Sequence, residues 1–397
     1  MRTRQSTLRD RDVQAHAALL LQRHLRLQDF SKKTTVWVVL HVLFFAAAAL
    51  TSVFAACQRL QGAPSDDTLR KALQAMLPEF AELQRRVNRT LAATLPKALK
   101  KHRKQRRQRV RLAIDLTLIP YHGLPETDCK EIYRSKAKDG TSHFHAYASA
   151  YLVVKGQRCT VALTAVEQGE KMEVVVKRLL RVVAQAGLRP KLLLLDRGFY
   201  SVGVLRYLQA ARVPFLMPAI ARGRKPTADR PATGIRALRL RKRGGWGEHT
   251  LQDASQRKAT VSICVSCGNY RGKWKRHGRY AWVYAYWGFR PGSTRWVADT
   301  YRQRFGIETS YRQLHEARIK TCARSPRLRF LFVALALLLR NVWVWFHWEV
   351  LSSPRRGRRR LNLSRLRFKQ LLFWLLQVAV AALGTRGETL TERLYQT

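Results

Sequence analysis

At 397 residues the chain can bury more than one core, so two to four domains are expected. Its 75 lysines and arginines face only 25 acids, a formal charge of +50. A compact protein this basic repels itself unless it meets a polyanion, which excludes adaptation to very high salt and makes nucleic acid the expected partner, with an anionic membrane surface second. Six scattered cysteines are too few for a disulfide framework and indicate a reducing compartment.

The first thirty residues are polar and charged, with no signal peptide evident, and read as an amphipathic helix with Leu19, Leu20, Leu21, Leu25 and Leu27 on its apolar side. Val36 to Cys57 is nearly all apolar. It reads either as the buried helix of a small DNA-binding bundle, the preferred view, or as a membrane span. Ser65 or Asp66 then caps a helix carrying Leu69, Leu73, Met76, Leu77, Phe80 and Leu83, and another helix follows from Val87 to Leu99. An all-α N-terminal domain results. Lys97 to Arg111 holds nine lysines and arginines in fifteen residues, either a solvated linker or a segment that tracks phosphates.

At Val110 the period changes to that of a strand, with Asp115 inside it. Two more strands, Ser142–Val154 and Arg158–Val166, are joined at hairpin length. A helix from Glu173 is closed by Gly187, and Lys191–Leu195 is a strand buried on both faces, with Asp196 directly after it. A short helix (Val204–Ala211) and a strand (Pro214–Pro218) complete a βββαβαβ order, that of a ribonuclease H-like mixed sheet. Residues 221–280, rich in Gly, Pro, Arg and Lys, read as a β-rich insertion, and Tyr280–Phe289 returns the chain to the core. From about Ser293 a helix sets Tyr301, Arg304, Glu308, Arg312 and His315 on one arc, opposite Trp296, Ile307, Leu314 and Ala317. Arg327–Val350 is an apolar core helix and Phe368–Leu383 the last one. The expected fold class is thus α/β, a ribonuclease H-like mixed sheet interrupted by a β-rich insertion. Its parts are an all-α domain with basic linker (1–108), a first core segment (109–220), the insertion (221–290), a second core segment (291–350) and a basic helical tail (351–397).

Three acids stand out. Asp115 lies in an apolar alternating strand, where a carboxylate without a partner is costly. Asp196 closes a neighbouring strand, and Glu308 sits in a stripe otherwise cationic and aromatic. Each alone is open to a bland reading: a strand-end cap for Asp196, i,i+4 pairing on a solvated face for Glu308. Together they are the carboxylate set that two-metal phosphoryl transfer requires.

Ala113-Ile114-Asp115 with Thr117, Asp196-Arg197-Gly198, and the spacing Tyr301, Arg304, Glu308 resemble the motifs of DDE transposases of prokaryotic insertion sequences, in the group with a Tyr-x2-Arg-x3-Glu-x6-Lys signature. The resemblance covers roughly residues 110–350. It implies Asp115, Asp196 and Glu308 as catalytic residues and ligands of Mg2+ or Mn2+, and double-stranded DNA, both element ends and target, as partner. Tyr301, Arg304, Arg312, His315, Lys320 and Arg197 are the implied DNA contacts. His315 stands where the signature has lysine, and Arg312 or Lys320 could supply that charge instead. A homodimer on DNA and a cytoplasmic, nucleoid-associated location are expected; no Walker loop or dinucleotide fingerprint suggests a nucleotide cofactor. The rival readings are a binding protein that does not cut and a basic protein anchored by residues 36–57. Cys264 and Cys267 lack a second pair for zinc, and His143 and His145 share one strand face; a metal role is disfavoured for both pairs. Trp274, Trp282 and Trp287 are read as packing in the insertion or, alternatively, stacking on bases of a frayed end.

Overall fold

The computed structural model describes residues 7–96, 108–124, 129–154, 157–271, 277–305, 315–355 and 358–387. The chain divides into two compact units, Lys100–Tyr311 and Met1–Leu99 with Arg312–Thr397.

The first of these units is built on a mixed nine-stranded sheet. Its strands are β1 (Gln108–Pro120), β2 (Tyr133–Lys138), β3 (Thr141–Val154), β4 (Gln157–Val166), β5 (Leu188–Leu195), β6 (Phe215–Pro218), β7 (Gly245–Gln252), β8 (Lys258–Arg271) and β9 (His277–Trp287). β4, β3 and β1 are antiparallel neighbours, and β5 and β6 follow β1 in parallel. The order β4-β3-β1-β5-β6 is that of a ribonuclease H-like sheet, and β2 adds a short antiparallel pairing to β3 that periodicity did not reveal. The insertion does not form a separate body. β9 pairs antiparallel with β6, so β9, β8 and β7 extend the core sheet itself.

Helix α6 (Met172–Gln185) buries Val175, Val176, Leu179, Leu180 and Val183, a stripe of helical period, and is followed by Gly187 at φ +77°. α7 (Val202–Ala210) starts at Ser201, whose hydroxyl accepts from the Val204 N–H, and α8 (Gly234–Arg239) lies in the insertion. α9 (Thr294–Arg302) is capped by Ser293, whose Oγ accepts from the Trp296 N–H at 3.1 Å. It buries Val297, Ala298, Thr300 and Tyr301 against Ala113, Leu192, Leu194, Leu216 and Tyr284 of the sheet. The expected face is therefore turned: Tyr301 is inside and Trp296 is partly exposed. The physical reason is the stripe of Val297, Ala298 and Tyr301, which packs on the sheet, and the helix is also shorter than expected. It ends at Arg302 and tightens into a 3-10 turn over Gln303–Phe305, so an arc drawn at 100° per residue does not continue through Arg304.

The other unit is helical: α1 (Asp10–Leu25), α2 (Val36–Ala48), α3 (Val53–Arg59), α4 (Asp66–Met76), α5 (Phe80–Ala93), α10 (Pro326–Glu349) and α11 (Phe368–Leu383), with a small hairpin of β10 (Ser353–Arg355) and β11 (Arg358–Arg360). In α1 the buried stripe is Val13, Ala17, Leu21 and Leu25, while Leu19 faces out. The apolar run 36–57 is two helices, broken where Leu50 takes φ +53° and Ser52 caps α3. At about 1.5 Å per residue, α2 is too short to cross a bilayer core. Pro78 separates α4 from α5, so the expected single helix through Leu83 is two. α10 and the stretch ending in α11 are long and apolar enough to cross a membrane by composition, but nearly all of α10 is buried inside this unit. Two of its buried polar groups are satisfied there: Asn341 Nδ2 donates to Thr94 Oγ1 at 2.9 Å, and Trp343 Nε1 donates to the Leu366 carbonyl at 2.8 Å. Because α10 must bury its surface all round, residues 315–350 group with the N-terminal helices rather than with the sheet, as the expected 291–350 core segment had it.

Candidate active site

The parallel register of β1 on β5 sets Ile114 opposite Leu195, so the next residue on each strand is an aspartate, Asp115 and Asp196. Side chains alternate along a strand. Ala113 and Leu194 face α9, and two residues further each chain presents its carboxylate on that same face. Asp115 lies mid-strand and its side chain is 14% exposed, whereas Asp196, just past the end of β5, is 43% exposed.

Arg304 joins them. From the 3-10 turn after α9 its Nη1 lies 3.2 Å from Asp115 Oδ2 and its Nη2 donates to Asp196 Oδ1 at 2.8 Å. Its Nε donates to Tyr301 Oη at 2.9 Å, and the Tyr301 ring packs 5.3 Å from Tyr284. The remaining Asp115 oxygen, Oδ1, accepts from the Leu116 N–H at 2.9 Å. Burial pushes the Asp115 carboxyl up to about 6; Arg304 pulls it down and the neighbouring Asp196 pushes it further up. Burial likewise raises the Tyr301 phenol, which stays neutral. Burial alone would lower the Arg304 guanidinium, but Tyr301 and the two aspartates hold it charged.

Of the residues singled out in the sequence, four meet in this cluster: Asp115, Asp196, Tyr301 and Arg304. Arg304 and Tyr301 are buried and engaged with the aspartates, not displayed on the surface. Arg197 is exposed in the turn that follows Asp196. Glu308 and Arg312 lie outside the described residues. His315 and Lys320 are exposed and belong to the helical unit, where the Lys320 N–H donates to the Thr51 carbonyl at 3.0 Å. Among the described residues no three His, Cys, Asp or Glu side chains gather as a metal site. Cys264 is fully buried in the core, while Cys267, an odd number of residues along the same strand, turns its thiol to the Arg241 carbonyl. His145 packs edge-on against Tyr121. Trp282 rests on the core cluster, and Trp274 lies outside the described residues.

A ribonuclease H-like sheet with paired aspartates on its two central parallel strands defines a class of phosphoryl-transfer folds. The transposase DDE domain family matches residues 106–342, and the chain belongs to that family. No curated protein matches it. Among solved structures, a piggyBac transposase in a synaptic complex with hairpin DNA is similar at 12% identity and a TM-score of 0.46, over 96% of this chain and 75% of that one.

Proposed function

We propose that this chain is the transposase of an insertion sequence: it hydrolyses phosphodiester bonds at the element's ends and joins the freed 3′-hydroxyls to target DNA. The observation that carries this reading is the register that brings Asp115 and Asp196 side by side on the face covered by α9, with a cation between them. In the first step a water oxygen bonds to phosphorus as the 3′ oxygen leaves and takes a proton. In the second, that 3′ oxygen bonds to a target phosphorus and displaces the target's own 3′ oxygen.

Two hard carboxylates aimed at one point suit Mg2+ or Mn2+, and the point already holds a positive group, the Arg304 guanidinium. Asp115 and Asp196 would hold the metal, with Glu308 completing the set. When bound, the metal would supply charge for the attacking and leaving oxygens. The residues themselves do the positioning: β1 and β5 fix both carboxylates, and Tyr301 holds Arg304 beside them. Above pH 7 Asp115 is ionised and able to ligate, since its carboxyl titrates near 6. Action on two ends calls for at least two copies of the chain.

The test is strand cleavage of an end-containing duplex with Mg2+. Asp115→Asn, Asp196→Asn and Glu308→Gln should each abolish cleavage while leaving DNA affinity within about twofold, because backbone phosphates are held by the basic surface. Near wild-type cutting by any one variant removes that residue from the site. A wild-type chain that binds but never cuts would make it a DNA-binding protein instead.

A further inference from the structure

A second charged feature lies at the other end of the two central strands. Arg109 on β1 and Arg189 on β5 are direct partners in the parallel register, two exposed guanidinium groups side by side. Like charges set opposite one another in a sheet repel and destabilise the pairing. Lys177 and Arg181, one turn apart on α6, face the same cleft, which has a volume of about 860 Å3. Its floor is apolar, with Leu180, Pro190 and Val213, and the half-buried Tyr207 forms one wall. None of the four cations is paired with an acid of the described residues. On α6's own segment Glu173 lies one turn before Lys177 with its carboxylate against Gly203 of α7, and Glu170 is paired with Arg178.

We propose that this cleft is a second DNA site, binding a phosphodiester backbone away from the catalytic acids. The identity of the polyanion rests on the transposase reading; the existence of an anion site does not. Four cations converging on one cleft, none in an ion pair among the described residues, call for at least two phosphates, and the cleft is far larger than a single phosphate needs. Arg109 belongs to the basic run of the sequence, Lys97–Arg111. A register shift between Val110 and Arg111 separates Arg109 from Arg111, whose guanidinium donates to Gln303 Oε1. Arg109 precedes Asp115 by six residues and Arg189 precedes Asp196 by seven, which at about 3.3 Å per residue puts the cleft roughly 20 Å from the acids. On a duplex with about 3.4 Å between base pairs that is some six base pairs. The backbone held there belongs either to the flank of the end being cut or to the target.

The experiment compares the full chain with R109Q/K177Q/R181Q/R189Q, measuring anisotropy of two labelled duplexes, one carrying the element's end and one unrelated, over a salt series. Each phosphate contact contributes about 0.9 to the log–log slope on duplex DNA, so the variant's slope should be shallower by about 2–4. Loss on the end duplex alone assigns the flank; equal loss on both assigns general or target DNA. Unchanged slopes on both duplexes overturn the proposal. R109Q/R189Q should melt no lower than the wild type, since it relieves a like-charge pair, and this separates lost binding from lost folding. A chain that never cuts, but whose slope falls in the variant, sinks the transposase reading and keeps the cleft. One that cuts with an unchanged variant slope does the reverse.

Discussion

On the proposed function, Arg304 occupies the place of the metal that Asp115 and Asp196 would hold, and this makes it informative about both stability and metal binding. One guanidinium spans two carboxylates that would otherwise face each other, one of them largely buried. Removing it leaves like charges uncompensated in a poorly solvated place. For fully buried pairs that costs about 3–5 kcal/mol; the exposure of Asp196 reduces the expectation to about 2–4 kcal/mol for Arg304→Gln. The lost charge can be replaced from solution. Adding Mg2+ should therefore raise the melting temperature of Arg304→Gln more than that of the wild type, where the ion competes with the guanidinium. Thermal melts with and without Mg2+ check this, and equal shifts in both proteins would mean that the two cations do not share a site.

At the scale of elements, the closing of the sheet rests on a glycine. Gly288 follows β9 at φ +80°, and a Cβ there would lie 3.1 Å from Pro214 Cα, just ahead of β6. Gly288→Ala should cost at least about 1–2 kcal/mol from backbone strain alone. Gly292→Ala, with open space around it, should be nearly neutral, and denaturant titration of the pair decides the matter. Such pairings explain what could be read beforehand. The alternation around Asp115, the apolar run before Asp196 and the apolar runs of α10 and α11 are local signals, and the elements formed where the pattern put them. The partnership of β9 with β6 is non-local, so the insertion read as a separate part although it continues the sheet. The break at Leu50 has neither glycine nor proline to announce it, and 36–57 therefore read as one helix. Lys177 and Arg181 carry no signal in the sequence, because a charged helix face has one pattern whether it meets water or lines a cleft. Arg304 was legible as a member of the site but not as the partner of the aspartates, since its turn departs from helical geometry.

For the whole molecule the charge sets the terms. With 75 cations and 25 acids, at least 50 cations have no acid of their own even if every acid is paired. Each folded unit confines such charge, and unfolding lets it spread, so self-repulsion works against the native state. Salt acts on this in two opposed ways. It screens the repulsion, as the Debye length falls from about 10 Å at 0.1 M to about 3 Å at 1 M, and it weakens surface ion pairs worth about 0–1 kcal/mol each. Among the described residues most ion pairs are of that surface kind, such as Arg70 and Lys71 on Asp67 or Arg302 on Asp299, whereas the Arg304 cluster is largely shielded from solvent. Repulsion among the surplus cations outweighs so few pairs, which fixes the sign: the melting temperature should rise with added NaCl and level off once the Debye length drops below the spacing between surface charges. Duplex DNA, which gathers many phosphates in one ligand, should produce the same rise at far lower concentration. Scanning calorimetry over a salt series and a DNA titration gives both curves. A melting temperature that falls with salt would mean that attractive pairs dominate the fold, and that the basic surface is not held in tension for want of a polyanion.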